Sequence, residues 1–420
     1  MNARTHPLWG AALMLAVACL FGYSVWDAVA SRAVSPERPA GTAAQAAPVS
    51  AAERAKAAAL SRFSSNEAAR AGLALHPAEY WEALADNIVQ CTLCPRACTI
   101  PDGYRGACRA RVNIGGALRS LVYGRLVAMN IDPIEKKPLF HFLPATRSFS
   151  VAAAGCNMNC LFCQNWQISQ ALPEQTGFRL VMPAEVVAAA RASKCASIAF
   201  TYTEPTIFFE YMRDTAKLAR EAGIATVLIT CGFIQEAPLR ELCAYIDGAN
   251  VDLKGFSSAS YKEYTSGDLE PVLRALKVLR QSNVWTEVGN LVIPGANDSD
   301  TELSNLCAWV AAEMGRDTPL HFLRFHPDNK LTDRPPTPAS TLERAVSFAQ
   351  QAGIKYVYTG NLAGSTHENT CCPRCGKAVI ERTGYWIRAL NMKDGACAFC
   401  GAKIAGVWGT RTTPPKGTKP

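Results

Sequence analysis

Short apolar runs alternate with longer segments of helical periodicity over residues 147–365, and no other feature of the sequence constrains the fold as much. Seven such runs, among them SFSVAAAG, ATVLITCGF and KYVYTGN, have the length and composition of buried strands. The segments between them, such as TIFFEYMRDTAKLAREAG, repeat apolar residues with the period of a helix. This alternation predicts an α/β fold of parallel strand–helix–strand units, either a partial or full barrel or a doubly wound sheet. In each of these folds the chemistry belongs at the carboxyl ends of the strands.

A cysteine-rich loop, GCNMNCLFCQN, follows the first predicted strand of this region. It places Cys156, Cys160 and Cys163 in a C-x3-C-x2-C pattern, with no fourth cysteine close by in the sequence. Thiolates bind iron–sulfur clusters, usually four per cluster. Three of them can hold three irons of a [4Fe–4S] cluster and leave the fourth iron to an exogenous ligand, and an open metal position is a feature of catalytic sites. The alternatives are a loop that takes its fourth ligand from another cysteine group, or a set of buried thiols.

Two further groups of cysteines flank this region, and each supplies four thiolates. The first has the spacing C-x2-C-x3-C-x9-C, which suits a closed zinc site or an auxiliary iron–sulfur cluster. The second consists of the knuckles CPRCG and CAFCG, a spacing typical of a structural zinc ribbon, with rubredoxin-like iron as the alternative. The members of the two groups are Cys91, Cys94, Cys98 and Cys108, and Cys372, Cys375, Cys397 and Cys400. We interpret Cys371 as a spare thiol and the isolated cysteines as apolar filler: Cys19, Cys195, Cys231, Cys243 and Cys307.

The N-terminal segment PLWGAALMLAVACLFGYSV contains an uncharged, mostly apolar stretch over residues 8–25. As a helix it would extend about 27 Å, close to the ~30 Å hydrocarbon core of a bilayer. A membrane anchor and a cleaved secretory signal are both compatible with this pattern, since AVA before Ser31 resembles a cleavage site. Iron–thiolate chemistry needs a reducing compartment, so we expect an anchor with a cytoplasmic catalytic part, and export is the alternative.

The pattern along the chain predicts six segments. They are an anchor or signal (1–30), a linker with an Ala-rich helix that extends from Ala51 to Asn87 with a break near His76 (31–79), an N-terminal four-cysteine module (80–146), the α/β region (147–365), a zinc-ribbon-like module (366–408) and a disordered tail (409–420). The formal charge of +8 is spread over the chain without a basic run, so we expect no nucleic-acid partner.

Several motifs, taken together, resemble one family. In chain order they are CTLCPRACTIPDGYRGACRAR, GCNMNCLFCQNWQISQ, FTYTEPTIFFEY, VDLKGF, LVIPGANDS, HFLRFHPD, YVYTGN and CPRCG…CAFCG. They resemble the AmmeMemoRadiSam system radical S-adenosylmethionine (radical SAM) enzymes, relatives of the pyruvate formate-lyase activating enzymes. The resemblance implies a partial barrel of the TIM type. It also implies that S-adenosylmethionine binds to the open iron and, on one-electron reduction, releases a 5′-deoxyadenosyl radical.

The resemblance also implies roles for single residues. Glu204 in TYTEP stands where the superfamily binds the amino group of the cofactor, although a carboxylate at a helix start has a structural explanation too. Asp252 and Lys254, on one side of a strand, resemble the pair that contacts the cofactor ribose and carboxylate. His326 matches a strand-end histidine near the cofactor, with a core histidine as the alternative, and Asn290 is a weaker candidate contact.

The sequence therefore predicts a radical SAM enzyme that abstracts hydrogen from an unidentified substrate and needs an external donor of the flavodoxin or ferredoxin type. The family name implies association with Memo-like and AMMECR-domain proteins. One alternative is an activase that acts on a glycyl-radical enzyme. A second is a membrane-tethered electron-transfer protein, which leaves Glu204, Asp252 and Lys254 unexplained.

Overall fold

The computed structural model of the protein describes residues 63–73 and 75–409. The first part of this region holds one short helix and seven short strands. They are α1 (Ser65–Arg70), β1 (His76–Pro77), β2 (Trp81–Ala83), β3 (Val89–Cys91), β4 (Thr99–Ile100), β5 (Arg111–Ile114), β6 (Ala117–Ser120) and β7 (Arg125–Leu126). Strands β1, β6 and β5 form one antiparallel sheet, and β2, β3 and β4 form a second. A single 3-10 turn, Ala85–Asn87, lies between β2 and β3.

The prediction of an Ala-rich helix up to Asn87 is wrong for most of the described part of that segment. The helix there covers only Ser65–Arg70, and Gly72 follows it with a φ of 61°, a left-handed conformation that ends helices. His76 and Pro77 then pair with Ser120 and Arg119 of β6. Pairing with β6 therefore overrides the helical preference of the local sequence.

The centre of the fold is a mixed eight-stranded sheet in the order β16-β15-β14-β13-β12-β11-β9-β8. Its strands are β8 (Ala128–Pro133), β9 (Arg147–Ala152), β11 (Ser197–Phe200), β12 (Ala225–Thr230), β13 (Gly248–Asp252), β14 (Trp285–Val292), β15 (Leu320–Arg324) and β16 (Val357–Gly360), whereas β10 (Arg179–Leu180) pairs with β7. The seven strands from β9 to β16 run parallel, and β8 is antiparallel to β9. The predicted α/β alternation is confirmed, and β8 is an edge strand that the alternation did not predict.

Helices connect the parallel strands and cover the sheet. They are α2 (Trp166–Ser169), α3 (Pro183–Ala192), α4 (Phe209–Glu221), α5 (Glu236–Cys243), α6 (Ser258–Thr265), α7 (Leu269–Gln281), α8 (Asp300–Trp309) and α9 (Ala339–Gln351). Shorter turns of helix are Ile134–Lys136, Pro173–Gln175, Pro205–Phe208 and the π-type turn Val310–Met314. All four residues of β11 are buried, as expected for a parallel strand covered on both faces.

The C-terminal region forms a small antiparallel unit beside the last strands. It consists of β17 (Thr370–Cys371), β18 (Ala378–Thr383) and β19 (Trp386–Leu390), followed by the pair β20 (Met392–Lys393) and β21 (Ala396–Cys397). The buried guanidinium of Arg382 joins this unit to the rest of the fold, since it donates to the Phe140 carbonyl at 2.8 Å and lies over the Phe140 ring. One end of the hairpin β18–β19 is thereby fixed to the core.

Within the part of the chain that the structure describes, no helix has the length and apolar character needed to cross a membrane. The predicted anchor or signal over residues 1–30, which includes Cys19, lies outside the described residues. So does nearly all of the predicted tail.

Candidate active site

A cavity of about 450 Å³ opens at the carboxyl ends of the parallel strands, where the fold predicts the chemistry. Cys156, Cys160 and Cys163 line it from the loop after β9. Glu204 comes from the loop after β11, Asp252 from the end of β13 and Lys254 from the loop after β13. With the cysteines, these are six predicted residues that the fold brings together. Residues separated by about a hundred positions in the sequence therefore meet in one cavity.

The cysteine loop is held in place mainly by backbone hydrogen bonds. The N–H groups of Asn159 and Leu161 donate to the carbonyls of Thr265 and Tyr264, each at 2.9 Å. The Met158 N–H lies 3.3 Å from Sγ of Cys156 and can donate to it. These bonds fix the path of the loop so that its thiols face the cavity.

The thiols of this loop suit a positively charged metal centre. Burial raises the pKa of Cys160 to about 12 and raises that of Cys156 well above its usual value. A buried thiolate therefore needs a cationic partner close by, and iron of a cluster supplies one. Cys163 lies 3.2 Å from the Ser169 hydroxyl, which can donate to its sulfur. The residues present thus fit a [4Fe–4S] cluster bound by three thiolates.

Glu204 is a buried carboxylate in the cavity wall, and both of its oxygens accept hydrogen bonds from the protein. Its Oε1 accepts hydrogen bonds from the hydroxyls of Thr206 at 2.7 Å and Thr230 at 2.6 Å. Its Oε2 accepts from the backbone N–H of Cys231 at 2.8 Å. Glu204 also begins the 3-10 turn Pro205–Phe208, and its Oε1 lies 3.2 Å from the Thr206 N–H. The carboxylate is thus a cap and a cavity-lining group at once.

Asp252 and Lys254 form an ion pair in the cavity wall, with 3.0 Å between Oδ2 and Nζ. Burial acts to lower the pKa of Lys254, but the negative charges of Asp252 and the neighbouring Cys160 and Cys231 outweigh it and raise the pKa above its usual value. Lys254 therefore stays an ammonium at neutral pH, and it faces the same space as the cysteines.

Asn290 and His326 do not line this cavity. Asn290 is buried in β14, and its side-chain amide donates to the Leu253 carbonyl at 2.7 Å. His326 is exposed, and its Nδ1 lies 2.9 Å from the carbonyl of Pro327. The hydroxyl of Thr337 accepts from the Phe325 N–H at 2.8 Å and so fixes the chain just before His326. A contact of either residue with the cofactor stays a prediction.

The cavity also contains a group that the sequence did not single out. Lys137, which is buried, lies 2.6 Å from Asp132 and 4.4 Å from the centre of the Tyr202 ring, and the Tyr202 hydroxyl donates to the same carboxylate. Burial lowers the pKa of Lys137 to about 8, although the charge of Asp132 partly offsets this. Lys137 comes from the turn after β8, the strand that the alternation did not predict.

Cys231 is a further cavity residue that sequence reasoning missed. We interpreted it as apolar filler because it ends an apolar run, ATVLITCGF. Its position at the carboxyl end of β12, beside other strand-end candidates, was the signal for a different interpretation. His321 and Tyr385 also line the cavity, from β15 and from the tip of the β18–β19 hairpin.

The two four-cysteine groups differ in geometry. In the C-terminal group the four sulfurs all lie within 4.8 Å of one another, with 3.6 Å between Cys372 and Cys400 and 3.8 Å between Cys375 and Cys397. Tetrahedral bonds of about 2.3 Å to one zinc ion would separate thiolate sulfurs by about 3.8 Å. This group could therefore bind a single metal ion.

The N-terminal group surrounds a small cavity of about 20 Å³, which Asn157 of the cysteine loop also lines. Its four members all line that cavity: Cys91, Cys94, Cys98 and Cys108. Burial, followed by the charges of the other three thiols, raises the pKa of Cys94 well above its usual value. The fold thus gathers the predicted four residues into one site.

Comparisons with known proteins agree with this geometry. The profile of the radical SAM superfamily matches residues 151–307, a region that contains the cysteine loop, Glu204 and the Asp252–Lys254 pair. The chain is 46% identical over 332 residues to the uncharacterized protein MJ0808 of Methanocaldococcus jannaschii, a match that covers 79% of this chain and 99% of that protein.

More distant similarities extend over about half of the chain. The pyruvate formate-lyase 1-activating enzyme of Escherichia coli K12 is 24% identical over 228 residues, or 49% of this chain and 89% of that enzyme. The crystal structure of Streptococcus suis SuiB bound to S-adenosylmethionine is 14% identical, with a TM-score of 0.42, and the match covers 54% of this chain and 53% of SuiB.

Proposed function

The chain belongs to the radical SAM superfamily, and from this premise we propose that it is an enzyme that cleaves S-adenosylmethionine reductively. Cys156, Cys160 and Cys163 would hold a [4Fe–4S] cluster with one open iron. Such a cluster supplies the electron that turns S-adenosylmethionine into methionine and a 5′-deoxyadenosyl radical, which abstracts hydrogen from a substrate still to be identified. The observation that carries the proposal is the meeting of these thiols with Glu204 and the Asp252–Lys254 pair in one cavity.

The residues around the thiols suit the charged groups of the cofactor. We propose that Glu204 accepts from the cofactor amino group through Oε2, because the hydroxyls of Thr206 and Thr230 hold Oε1, whereas Oε2 accepts from the Cys231 N–H and keeps further acceptor capacity. Lys254 would pair with the cofactor carboxylate, and Asp252, which is more exposed, would accept from the ribose hydroxyls. Neither assignment requires either side chain to leave the cavity wall.

We test this proposal with the full-length chain, reconstituted anaerobically and reduced by one electron. Addition of S-adenosylmethionine labelled with 15N at the amino group should introduce hyperfine coupling to nitrogen in the electron–nuclear double resonance spectrum of the cluster. A spectrum without coupling, from an intact cluster, would contradict an open iron and favour a membrane-tethered electron-transfer protein with full protein ligation.

A second candidate is an activating enzyme for a glycyl-radical enzyme. The similarity to the pyruvate formate-lyase 1-activating enzyme of Escherichia coli K12 favours it. A glycyl-radical protein from the same organism, incubated with this enzyme and S-adenosylmethionine, should then acquire the characteristic glycyl doublet in its electron paramagnetic resonance (EPR) spectrum. If 5′-deoxyadenosine forms without that signal, the substrate is of another class.

Several finer assignments belong to the same proposal. We propose that the mixed sheet curves into a partial barrel, and that the chain is an AmmeMemoRadiSam system enzyme that works with Memo-like and AMMECR-domain proteins. A flavodoxin- or ferredoxin-type donor would supply its electrons. Co-purification of tagged chain with such partners from its own host checks the association, and their absence from the purified material would count against it.

We also propose zinc at the C-terminal cysteine group and a membrane anchor before residue 31. The 3.6 and 3.8 Å sulfur separations support a single four-coordinate ion. The anchor would keep the catalytic part on the cytoplasmic side, whereas cleavage after residue 30 would export it. The anchor predicts that the chain stays with the membrane fraction after a carbonate wash. Release by that wash would contradict it.

A further inference from the structure

We propose that Cys91, Cys94, Cys98 and Cys108 bind a second iron–sulfur cluster, and that this cluster passes single electrons to the cluster of the Cys156–Cys163 loop. The electron-transfer part rests on the proposed function, whereas the metal assignment stands without it. The spacing of these cysteines does not choose between zinc and iron. Three features of the structure favour the cluster, and two others connect it to the active site.

The first feature is the spacing of the sulfurs. Among the described residues, the C-terminal group alone brings three or more metal-binding side chains within 4.8 Å of one another. The N-terminal cysteines therefore surround their cavity at wider separations than the C-terminal group shows. A single tetrahedral zinc needs all four sulfurs about 2.3 Å from one point. A cluster instead binds each thiolate at a different iron and so separates the sulfurs by its own width.

The second feature is a glycine at the edge of the cavity. A Cβ atom added to Gly106 would lie 3.8 Å from the sulfurs of both Cys98 and Cys108 and 3.3 Å from the Ile100 side chain. Gly106 also lines the cavity itself. The absence of a side chain thus keeps open the space between two of the four thiols, where a polynuclear group needs room.

The third feature is a buried donor without an acceptor. Arg111 is 1% exposed, and its guanidinium pairs with Glu210 and donates to the Glu79 carbonyl at 2.7 Å. Its Nε has no hydrogen-bond partner among the described residues, although Arg111 lines the cysteine cavity. Buried N–H groups are rarely left unpaired. Sulfur at the cluster or its thiolates would accept this hydrogen bond.

The two cysteine sites share a wall. Gly155, which precedes Cys156, lies so close to the Cys108 backbone that a Cβ on it would be 2.5 Å from the Cys108 carbonyl oxygen. Cys156 follows Gly155 directly, so the chain segments that carry Cys108 and Cys156 touch at this point.

Hydrogen bonds also tie the N-terminal site to the active-site loops. Arg96, which lines the cysteine cavity, donates to the carbonyls of Asn157 at 2.6 Å and Ser266 at 2.7 Å. Asn157 itself lines the same cavity, and it is the neighbour of Cys156. Thr206 lines it too and donates to Glu204 in the active site. Few atoms therefore separate the two proposed clusters.

One edge of the N-terminal site reaches the surface, at the half-buried Cys98. Ala97 and Thr99, on either side of Cys98, are exposed. An external one-electron donor, of flavodoxin or ferredoxin type, would reduce the N-terminal cluster from its 2+ to its 1+ state. That cluster then returns to 2+ as the active-site cluster passes from 2+ to 1+, so one electron moves and no atom is transferred.

Metal analysis of the intact, full-length chain tests the assignment directly. After anaerobic reconstitution with iron, sulfide and zinc, we expect about eight irons and one zinc per chain. The Cys94→Ser variant should lose about half of the iron, and the matched Cys375→Ser variant should lose the zinc and keep the iron. About four irons and two zincs in the wild-type protein would overturn the cluster. The iron and zinc content of the wild-type protein decides between a cluster and zinc at the N-terminal site even if a variant fails to fold.

Electron paramagnetic resonance of the fully reduced wild-type protein tests the electron-transfer part. Two reduced clusters in contact should broaden each other's signals, and the Cys94→Ser variant should show one unbroadened signal that still responds to S-adenosylmethionine. Two independent signals without mutual broadening would overturn the relay. Eight irons without cleavage of S-adenosylmethionine would contradict the proposed function and leave the second cluster intact. Cleavage of S-adenosylmethionine by a chain with zinc at the N-terminal site would contradict the second cluster and leave the proposed function intact.

Discussion

The ammonium of Lys254 lies 3.0 Å from the Asp252 carboxylate, at the end of β13 and in the wall of the cavity that the three cysteines of the loop also line. The two side chains differ in accessibility, since 14% of the Lys254 side chain is exposed against 39% for Asp252. The charge of Lys254 is thus directed into the cavity, while its partner is more accessible to solvent. This arrangement leaves the ammonium available to a negatively charged group of a ligand.

Replacement of this ammonium should weaken binding of S-adenosylmethionine. In the Lys254→Met variant we expect the dissociation constant to rise about tenfold to a hundredfold, because a hydrogen bond to a charged group contributes about 1.5–3 kcal/mol. Calorimetric titration of the reconstituted full-length chain measures the change. The exposed Lys262, on α6, gives the control Lys262→Met, which should bind as the wild type does. Equal affinity in both variants would remove Lys254 from the binding site.

The thiols that line the cavity should differ in how much the binding of iron depends on them. We expect Cys163→Ser to lose the iron of the active-site cluster, because the loop would then offer two thiolates. Cys231→Ser should keep it, because all three thiolates of the loop remain and the Cys231 backbone N–H still holds Glu204 at 2.8 Å. Iron analysis and the absorbance of the cluster measure both. Loss of iron from the Cys231 variant would mean that this thiol closes the fourth position.

Gly155 should be far less tolerant of a side chain than a glycine with open space around it. Gly155→Ala forces a residue with φ of 103° to place its Cβ 2.5 Å from the Cys108 carbonyl oxygen. Gly115→Ala is the matched control, since Gly115 has φ of 63° and nothing within 4 Å of an added Cβ. The control should lose about 1 kcal/mol of unfolding free energy, and the Gly155 variant at least twice as much. Denaturant titration measures both, and equal losses would contradict the close approach of the two cysteine sites.

Lys137 should make the stability of the chain depend on pH above about 8. Burial lowers its pKa to about 8 from the usual 10.5, so the folded chain binds this proton less tightly than the unfolded chain does. Its contribution to the unfolding free energy therefore rises between pH 8 and 10.5, by a few kcal/mol at most at about 1.4 kcal/mol per pKa unit. Chemical denaturation at several pH values should show that the wild type and the control Lys136→Met gain stability relative to Lys137→Met over this range. The buried thiols, whose raised pKa values favour the opposite trend, act equally in all three proteins and cancel in the comparison. Parallel curves for all three proteins would contradict it.

Local sequence pattern was sufficient to predict the strand-end part of the site. All seven predicted strands are present, and parallel strands place their carboxyl ends at one edge, so Glu204 and Lys254 had to approach the cysteine loop. Pattern failed where a contact depends on pairing between distant segments. Strand β8 pairs antiparallel with β9, and this pairing brings Lys137, which follows β8, to the cavity. The local sequence pattern does not predict that pairing.

Position in a motif also proved insufficient to decide which way a side chain faces. His326 stands in a strand-end motif, yet the Thr337 hydroxyl fixes the chain just before it and the imidazole is exposed. Cys231, interpreted as filler from its apolar surroundings, lies in the cavity wall because β12 ends just before it. Both outcomes depend on where a strand stops relative to its neighbours, to within one or two residues.

The measurement that tests the central claim most directly is the amount of 5′-deoxyadenosine formed by the full-length chain. The anaerobically reconstituted protein is mixed with S-adenosylmethionine and a strong one-electron reductant, and Cys160→Ala is treated in the same way. We expect 5′-deoxyadenosine from the wild type and none above background from the variant, since the variant cannot hold the active-site cluster. A wild-type protein with a spectroscopically intact cluster and no 5′-deoxyadenosine would contradict the account.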